Sequence, residues 1–589
     1  MTLDGAQLAD DGEGRAATAL ALDPATSAWS CPEPVAIGDC RAMIWGDAGR
    51  HGVVVVGPRG VEDLATRASL AALARAVAQA GIPVLRLDLP GQGDSLGDAA
   101  AGDELPPAIT AIATAVATLR RCRGAESVTV VGLRLGATLA ALATATIDID
   151  GLALLAPIVR GRGHVRELRA LAPPETPMVV AGFDIAPATL DRIAAIDLLT
   201  LPAPSIRRAF IAVPAPTQGV DRLAAQWRDA GLDITETAYP DLAAHIGNPT
   251  MSRAPTDLFA ALNDWLAPMA APQPSFIPPP EPNRLAGADF AEEGTIIAGA
   301  APLVAIVTRP LRPLAAAPTA VIVNAGRNPR IGWARGSVTL ARRLAAAGIA
   351  SIRVDLPGFG DSPPAADAPP EPLYHPSNIP HLNRAIAALA GLGLDRRCVL
   401  IGACSGGHLA FHAALSAPDV AGLVLVNVQR FIWRDGMSLE AAMRSGGRST
   451  AAYFDRLRQW RTWQRLVRGD IDIGFVAGSL MRRLHRRAGD ALTSLADLTG
   501  RHAGEDRPVL RGFQLLSRRG LRQLVVYSQE DGGRDDFAAH VGRDGRGFAR
   551  LPATRLVILP DTDHDLTPPA ARARLADEVI ALCRTIAAA

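Results

Sequence analysis

The sequence repeats itself, and this repeat constrains the fold more than any other feature. Three apolar segments of the first half recur in the second half, each followed by similar turn residues. The matched segments are 53–60 with 320–327, 80–95 with 347–362, and 131–136 with 401–406. The first two pairs are offset by 267 residues and the third by 270. A nearly constant offset across three motifs predicts two copies of one folding unit.

Each copy alternates short apolar runs with alanine- and leucine-rich segments of helical length. This alternation predicts an α/β fold with a mostly parallel sheet and helices on both faces. A chain of 589 residues is also too long for one core. We therefore predict two domains, at 1–267 and 284–589, joined by a proline-rich, extended linker at 268–283. Hairpins at Trp29–Trp45 and Gly294–Pro310 are expected to lead into the two sheets.

Composition excludes several classes of function. The net charge of +1 gives no reason to expect nucleic-acid binding. Residues Met1–Asp23 lack a basic-then-apolar signal, and no run approaches 18 apolar residues, so we expect a cytoplasmic protein without a membrane span. The six cysteines lack metal-ligand spacing. His408 and His412 lie one helical turn apart without an apparent third ligand, so no metal and no cofactor are expected. The oligomeric state is not predicted.

A strand pattern, a tight turn and a helical pattern follow one another at 399–410 in the second copy. Gly402 and Gly406 flank Cys404 there with the spacing of a nucleophile elbow, which lifts its central residue above the sheet edge. Glycines are required because the strand and the helix pass too close for side chains. We predict that Cys404 is a nucleophile. Two alternatives remain, since a free cysteine often only packs in a core and Ser405 is a neighbouring hydroxyl.

A cysteine nucleophile needs a base, and the base needs an acid that orients it. Asp531 follows one late apolar run and His564 follows the next, so both are expected at the sheet edge where the elbow lies. Glu530 and Asp535 remain alternatives for the acid.

Acyl transfer also needs donors aimed at the developing oxyanion, each contributing about 3 kcal/mol. One candidate is the backbone N–H of Ser405, at the start of the predicted helix. The turn at 324–327 follows a strand beside the elbow and offers the second candidate, the N–H of Ala325 or of Gly326.

Together, the strand-end turns, the Asp-x-Pro-Gly-x-Gly-Asp-Ser loops at 88–95 and 355–362, the elbows and the late acid and histidine resemble the α/β-hydrolase fold. The resemblance covers roughly nine-tenths of the chain. The second elbow is similar to the Gly-x-Cys-x-Gly box of dienelactone hydrolases and polyhydroxyalkanoate synthases. The first elbow, at 132–136, resembles degenerate hydrolase-like proteins that accompany exosortase. The resemblance implies two tandem α/β-hydrolase domains and the roles of Cys404, Asp531 and His564, but no polymer product.

The first copy lacks the residues for this chemistry. Arg134 stands at its elbow and cannot attack a carbonyl, and 214–217 offers no acid. His245 is the candidate for the late histidine but has no nucleophile to activate, so we predict a catalytically silent domain. Arg134 in front of a helix N-terminus is a candidate anion-binding residue. An internal ion pair or a scaffold role are the alternatives.

An insertion at about 431–520 is predicted to form a helical cap over the second cleft. Residues 431–520 contain 17 Arg against 7 Asp and 2 Glu, and they are rich in aromatic residues. Such a lid suits an acyl group on an anionic handle, such as coenzyme A, a phosphopantetheine carrier protein or an acidic glycan. An amphipathic face with solvated arginines explains the same composition.

The predicted function is a cysteine-dependent acyl hydrolase or acyltransferase. Its substrate is expected to be an ester or thioester, either a small molecule or a carrier-bound acyl group. The alternative is a non-catalytic binding or scaffold protein for an anionic acyl, glycan or carrier ligand.

Overall fold

The computed structural model describes residues 31–172, 178–215, 218–279, 281–369, 371–434, 437, 439 and 507–589. Its strands form an eight-stranded sheet from the first half of the chain, a nine-stranded sheet from the second half and a separate two-stranded hairpin. We call the two halves built on the large sheets the first unit and the second unit. No described helix is long and apolar enough to cross a membrane.

In the first unit, the sheet order is β1-β2-β4-β3-β5-β6-β9-β10, and all pairs from β4 onward are parallel. The strands of this unit are β1 (Glu33–Ile37), β2 (Cys40–Trp45), β3 (His51–Val56), β4 (Val84–Leu87), β5 (Ser127–Leu133), β6 (Gly151–Leu155), β7 (Met178–Val180), β8 (Phe183–Ile185), β9 (Arg208–Val213) and β10 (Asp233–Ala238). Its described helices are α1 (Val61–Gln79), α2 (Leu105–Arg123), α3 (Leu135–Ala143), α4 (Gly161–Leu171), α5 (Pro187–Ala195), α6 (Gln218–Asp229), α7 (Leu242–Ile246) and α8 (Thr256–Leu266).

In the second unit, the order is β11-β12-β13-β15-β14-β16-β17-β18-β19, with parallel pairing from β15 onward. The strands of this unit are β11 (Arg284–Ala286), β12 (Phe290–Ile297), β13 (Leu303–Pro310), β14 (Thr319–Val323), β15 (Ser351–Val354), β16 (Cys398–Ala403), β17 (Val420–Val426), β18 (Arg522–Ser528) and β19 (Thr554–Leu559). Its described helices are α9 (Gly336–Ala346), α10 (Asn378–Ala387), α11 (Ser405–Ser416), α12 (Pro508–Arg518), α13 (Gly533–Val541) and α14 (Pro569–Ala587).

The central strands are buried on both faces, which explains why they are continuous apolar runs. Every residue of β3 and of β14 is buried. In the first unit, one apolar cluster packs under α2 and α3, and another lies on the opposite sheet face under α1 and α8. Strands covered on both faces by helices are typical of parallel sheets. The prediction of mostly parallel sheets with helices on both faces is confirmed.

The predicted linker runs along the first unit and hydrogen-bonds to it. Arg50 N donates to the Ala271 carbonyl at 2.8 Å, and Gln273 N donates to the Ala48 carbonyl at 3.2 Å. The domain limits at 267 and 284 remain predictions. Most of the predicted cap, at 440–506, lies outside the described residues.

The two units meet through two equivalent ion pairs. Arg86 of the first unit contacts Asp361 of the second, and Arg353 of the second contacts Asp94 of the first. The offset of 267 residues relates Arg86 to Arg353 and Asp94 to Asp361. Such reciprocal contacts are the pattern of a two-fold interface between identical subunits. The contact between the units is therefore itself symmetric.

Arg330 lies at the centre of this interface with no exposed side-chain area. Its guanidinium contacts Asp94 at 2.7 Å, Asp361 at 2.8 Å and Asp355 at 2.5 Å. Burial alone raises the pKa of Asp94, but Arg330 and Arg353 outweigh burial and hold that pKa well below its ordinary value. Removing one member of a buried ion pair leaves an uncompensated charge, which costs about 3–5 kcal/mol.

Candidate active site

Cys404 lies between the end of β16 and the start of α11, at the carboxyl edge of the parallel strands. Its backbone has φ 51° and ψ −120°, a conformation that non-glycine residues rarely adopt. The Cys404 N–H donates to the Val426 carbonyl at 2.9 Å, which ties the turn to the neighbouring strand. The side chain is half-buried. This is the geometry expected of a nucleophile elbow.

The two glycines of the elbow allow the strand and the helix to pass each other. A Cβ added to Gly402 would lie 2.2 Å from the Gly406 carbonyl oxygen, and one added to Gly406 would lie 2.1 Å from the Asn324 carbonyl oxygen. Both distances are far below van der Waals contact with rigid backbone. The structure thus gives the reason for the glycine spacing in the sequence.

His564 and Asp531 reach the same edge from the ends of β19 and β18. His564 Nδ1 lies 2.6 Å from Asp531 Oδ2, and the Asp531 side chain is fully buried. The imidazole is 31% exposed and lines the same cavity as Cys404. Burial lowers the pKa of His564, but Cys404 and the hydrogen bond to Asp531 outweigh burial and raise that pKa well above its usual value. The arrangement favours an imidazolium beside the thiol.

Sequence reasoning missed two side chains that hold the acid and the histidine. Gln429 Nε2 donates to Asp531 Oδ1 at 2.8 Å and lies 3.1 Å from His564 Nδ1. Asn427 Nδ2 donates to the His564 carbonyl at 2.8 Å. Asn427 directly follows β17 and Gln429 lies two residues further on, so the signal available in the sequence was a polar residue just after a parallel strand.

The predicted oxyanion donors need one correction. The Gly326 N–H donates to Ser405 Oγ at 3.0 Å, so it is not available to an oxyanion in this conformation. The Ser405 N–H is in the first turn of α11, where backbone donors have no intrahelical acceptor. Ala325 therefore remains as the candidate from the turn. The Ser405 side chain is buried and not at the centre of the elbow, which argues against the alternative nucleophile.

The turn that carries Ala325 is anchored to the interface between the units. Asn324 Nδ2 lies 3.2 Å from Asp355 Oδ1, and Asn324 Oδ1 accepts the Leu356 N–H at 2.8 Å. Asp355 in turn accepts the Arg330 N–H at 2.6 Å. Because Arg330 also contacts Asp94, the first unit takes part in fixing this turn.

Tyr374 is a further residue beside the thiol that the sequence did not single out. Its hydroxyl lies 3.8 Å from Cys404 Sγ, and its ring stacks on Trp433 with centroids 4.4 Å apart. The next residue, His375, does not share this contact with the thiol, because its Nδ1 lies 2.8 Å from the Ser377 hydroxyl. The two aromatic rings form an apolar wall next to the elbow.

The histidines considered for metal binding contact backbone carbonyls. His408 Nδ1 lies 3.2 Å from the Arg430 carbonyl, and His412 Nε2 lies 2.9 Å from the Phe431 carbonyl. Within the described ranges, no group of three or more His, Cys, Asp or Glu side chains is arranged to hold a metal ion.

A cavity of about 330 Å³ lies in front of Cys404, and both units line it. Asn324, Cys404 and His564 come from the second unit, whereas Asn248 and Thr250 come from the first. The first unit therefore forms part of the wall of the candidate active site.

The elbow of the first unit is closed by ion pairs. Arg134 Nε contacts Glu62 Oε1 at 3.2 Å, and Arg134 Nη2 contacts Glu167 Oε2 at 3.5 Å. The proposed anion site at Arg134 is thus not supported, since two carboxylates already compensate the guanidinium. The structure agrees with the alternative, an internal ion pair. His245 is fully buried between Ser69 and Tyr239, and burial lowers its pKa to about 4.

The second half of the chain matches one protein-family model, and several solved structures are similar to part of the chain. Residues 320–578 match the model of the alpha/beta hydrolase family. A dienelactone hydrolase from Anabaena variabilis is 14% identical over 50% of this chain and 98% of its own, with a TM-score of 0.30. A proline iminopeptidase from Mycobacterium smegmatis is 17% identical over 50% and 99%, with a TM-score of 0.32. Est1E from Butyrivibrio proteoclasticus is 13% identical over 40% and 98%, with a TM-score of 0.33. No curated protein sequence matches the chain.

The family match, the sheet order and the elbow together define the second unit as an α/β-hydrolase-fold enzyme of the hydrolase type. The matched residues begin in β14 and end within α14, so they include the elbow and both late loops.

Proposed function

We propose that the protein is a cysteine-dependent acyl hydrolase or acyltransferase in which Cys404, His564 and Asp531 form a catalytic triad. One observation carries this proposal. Cys404 occupies the raised turn of the elbow, and the His564 imidazole beside it is hydrogen-bonded to a fully buried carboxylate at 2.6 Å. A thiol, a base and an orienting acid in this order are what nucleophilic acyl transfer requires.

In this proposal His564 carries the proton of the Cys404 thiol when the sulfur attacks, and the raised pKa of His564 favours its protonated form. In the first half-reaction, the Cys404 sulfur forms a bond to the substrate carbonyl carbon. The bond to the leaving alcohol or thiol breaks, and His564 gives its proton to that leaving group. In the second, water or another acceptor gives a proton to His564 and attacks the thioester carbon. The carbon–sulfur bond then breaks, and the thiolate is restored.

The oxyanion formed in each half-reaction would accept the N–H groups of Ser405 and Ala325. Backbone donors of this kind are worth about 3 kcal/mol each in the transition state. Ser405 Oγ holds the Gly326 N–H, which fixes the turn that presents Ala325. In this proposal Ser405 thus supplies one donor itself and positions the other.

An apolar acyl group suits the cavity. Its walls include Leu340, Leu373 and Val426, together with the Tyr374 ring that stacks on Trp433. A volume of about 330 Å³ admits a small acyl chain or an aromatic acid. The leaving group would be an alcohol or a thiol, so both esters and thioesters belong to the proposed substrate class.

Burst kinetics with nitrophenyl esters of increasing chain length test this function. We expect a rapid release of about one nitrophenol per protein, followed by a slower steady state as the thioester breaks down. Cys404→Ala should lose the burst. Cys31→Ala is the matched control, because Cys31 is also half-buried and burial raises its pKa to about 11. A burst that persists in Cys404→Ala would refute the proposal, and no burst in the wild type would favour a binding protein.

A further inference from the structure

A second cavity, of about 450 Å³, lies in front of the elbow of the first unit. It is larger than the cavity at Cys404, although the chemistry of the first elbow has been lost. Leu135 of the elbow, α4 and the β7–β8 hairpin line it from the first unit. Ile331, Arg335 and the start of α14 line it from the second unit.

The two cavities are counterparts within the repeat. Arg59 and Val61 line the first-unit cavity, and the residues 267 positions later, Gly326 and Asn328, line the cavity at Cys404. Leu135 similarly corresponds to Ser405 at the offset of 270. The duplicated cleft is therefore present twice, once with a thiol at the elbow and once with an arginine locked in ion pairs.

The lining of the first-unit cavity favours an uncharged, apolar ligand. Its four arginines have partners within the protein: Arg59 pairs with Glu104 and Arg343 with Asp577, while Arg335 and Arg572 donate to backbone carbonyls. Four carboxylates also line it: Glu62 pairs with Arg134, Asp63 pairs with Arg67, Asp98 accepts the Ala100 N–H, and Asp184 lies in the β7–β8 hairpin. Much of the remaining wall is aliphatic or aromatic. These residues are Val61, Leu135, Leu168, Val180, Phe183, Ile185, Ile193 and Ile331.

We propose that the cavity of the first unit binds an uncharged acyl or aromatic group without reacting with it, and that its occupancy acts on the active cavity. The class of ligand rests on the proposed function, because the counterpart cavity is assigned an acyl substrate there. Because Arg134 occupies the nucleophile position of this elbow and cannot attack a carbonyl, the bound group is held and released unchanged.

The wall between the cavities provides the coupling. Phe183 of the first-unit cavity and Trp333 of the active cavity both pack against the buried cluster of Leu64, Ile331 and Val338. Trp333 Nε1 donates to the Ala181 carbonyl, at the tip of the β7–β8 hairpin, at 2.8 Å. A ligand that moves this hairpin therefore moves a wall of the active cavity.

Arg572 forms a second connection, because it lines both cavities. Its guanidinium donates to the Thr567 carbonyl at 2.7 Å and to the Leu566 carbonyl at 3.2 Å, in the loop that carries His564. It also contacts the Gly182 carbonyl of the hairpin at 3.4 Å. The hairpin of the first unit and the histidine loop of the second thus share one side chain.

Binding is tested with N-phenyl-1-naphthylamine, an uncharged fluorescent probe, on full-length protein whose Cys404 has been blocked with iodoacetamide. Leu168→Trp fills the first-unit cavity from α4. Ala170→Trp adds the same side chain at an exposed position of α4 outside the lining and serves as the matched control. We expect Leu168→Trp to bind one probe fewer than wild type, or to bind about tenfold more weakly, and Ala170→Trp to bind as wild type does. Equal binding by both variants would overturn the proposal.

Coupling is tested by the rate at which iodoacetamide alkylates Cys404, with and without the probe. We expect the probe to change this rate severalfold in Ala170→Trp but less in Leu168→Trp. Any direct competition between the probe and iodoacetamide in the active cavity is the same in both variants, so the difference reports the first-unit cavity. Trp333→Phe should weaken the coupling without loss of binding. Equal probe effects in the two tryptophan variants would refute coupling.

If Leu168→Trp melts below wild type, Leu168→Asn replaces it, since that variant removes apolar wall without adding volume. If probe binding depends on Leu168 but Cys404 never becomes acylated, the first-unit binding site is supported and the proposed catalytic function is rejected. If Cys404 becomes acylated but probe binding does not depend on Leu168, the catalytic function is supported and the binding site is rejected.

Discussion

The two units share a backbone at the elbow and differ in the side chain that it presents. Cys404 has φ 51° and ψ −120°, and Arg134 has φ 55° and ψ −121°. A conformation of this kind costs about 1–3 kcal/mol in a non-glycine residue. The first unit keeps this strained turn with arginine in place of a nucleophile. The close passage of strand and helix therefore imposes the turn, whatever residue stands there.

The late histidines show the same divergence. His564 is part-exposed beside a buried carboxylate, and its pKa is raised, whereas His245 is buried between two hydroxyls and its pKa is lowered to about 4. One ring faces the active cavity and the other belongs to the core. The two histidines thus occupy similar places in their units, and the carboxylate of Asp531 distinguishes the catalytic candidate His564 from the structural residue His245.

The largest effect is expected from Cys404→Ala, which makes the second elbow as unreactive as the first. Turnover of nitrophenyl esters should fall by about 10⁴-fold or more, because no other group replaces the nucleophile. Steady-state kinetics measure the loss. Arg134→Cys, the reverse exchange, should gain no activity, since burial lowers the pKa of His245, the late histidine of the first unit, to about 4. Esterase activity of the double variant Arg134→Cys, Cys404→Ala would show that the first elbow supports catalysis and would contradict this account.

Asp531→Asn should reduce kcat by about 10²–10⁴-fold by removing the charged partner of His564. The pKa of His564 is raised in the folded protein, so the imidazolium persists above pH 6.5 and is lost only as pH rises through the higher folded value. The substitution should shift this loss to lower pH. Alkylation of Cys404 as a function of pH reports the shift. An unchanged profile would show that Asp531 does not control the imidazole.

Asp94→Asn and Asp361→Asn should destabilise the protein by similar amounts, about 3–5 kcal/mol each. The two carboxylates are related by the repeat, and each leaves buried arginines uncompensated. Denaturant unfolding measures the change. Asp289→Asn is the control, because it removes an exposed ion pair with Arg312, worth at most about 1 kcal/mol. A cost at Asp94 no greater than at Asp289 would refute a symmetric buried interface.

The smallest effect is expected from Gln429→Leu, which removes one donor to Asp531 Oδ1. We expect kcat to fall about tenfold with little change in KM, since the amide orients the acid and does not touch substrate. Gln529→Leu makes the same substitution at an exposed position near the same sheet edge and should have no effect. Equal losses in the two variants would indicate a general structural perturbation.

The sequence was sufficient to predict the parallel sheets, the elbow and the approach of His564 to Asp531, because strand ends and glycine spacing encode them locally. It left Ala325 and Gly326 open as oxyanion donors, because only coordinates show that the Ser405 hydroxyl accepts the Gly326 N–H. Gln429 could have been suspected as a polar residue after β17, but its contacts with Asp531 and His564 could not. Tyr374 was missed because its contact with Cys404 joins separate segments of the chain, and no periodicity reports such a contact.

The sequence likewise could not predict that the first unit contributes residues to the active cavity. Asn248 and Thr250 lie more than 150 residues before Cys404, and only the packing of the two units brings them to the same cavity. The reciprocal ion pairs could have been suspected, since Arg86 and Asp94 recur at the repeat offset. Their pairing across the units still required the three-dimensional arrangement.

Peptide mapping of the protein, quenched in acid during turnover of an activated ester, tests the central claim most directly. The acyl mass should lie on Cys404, in the peptide that spans the end of β16 and the start of α11, and it should decay when excess substrate is removed. An acyl group on Ser405 or on another cysteine, or continued turnover with Cys404 unmodified throughout, would contradict it.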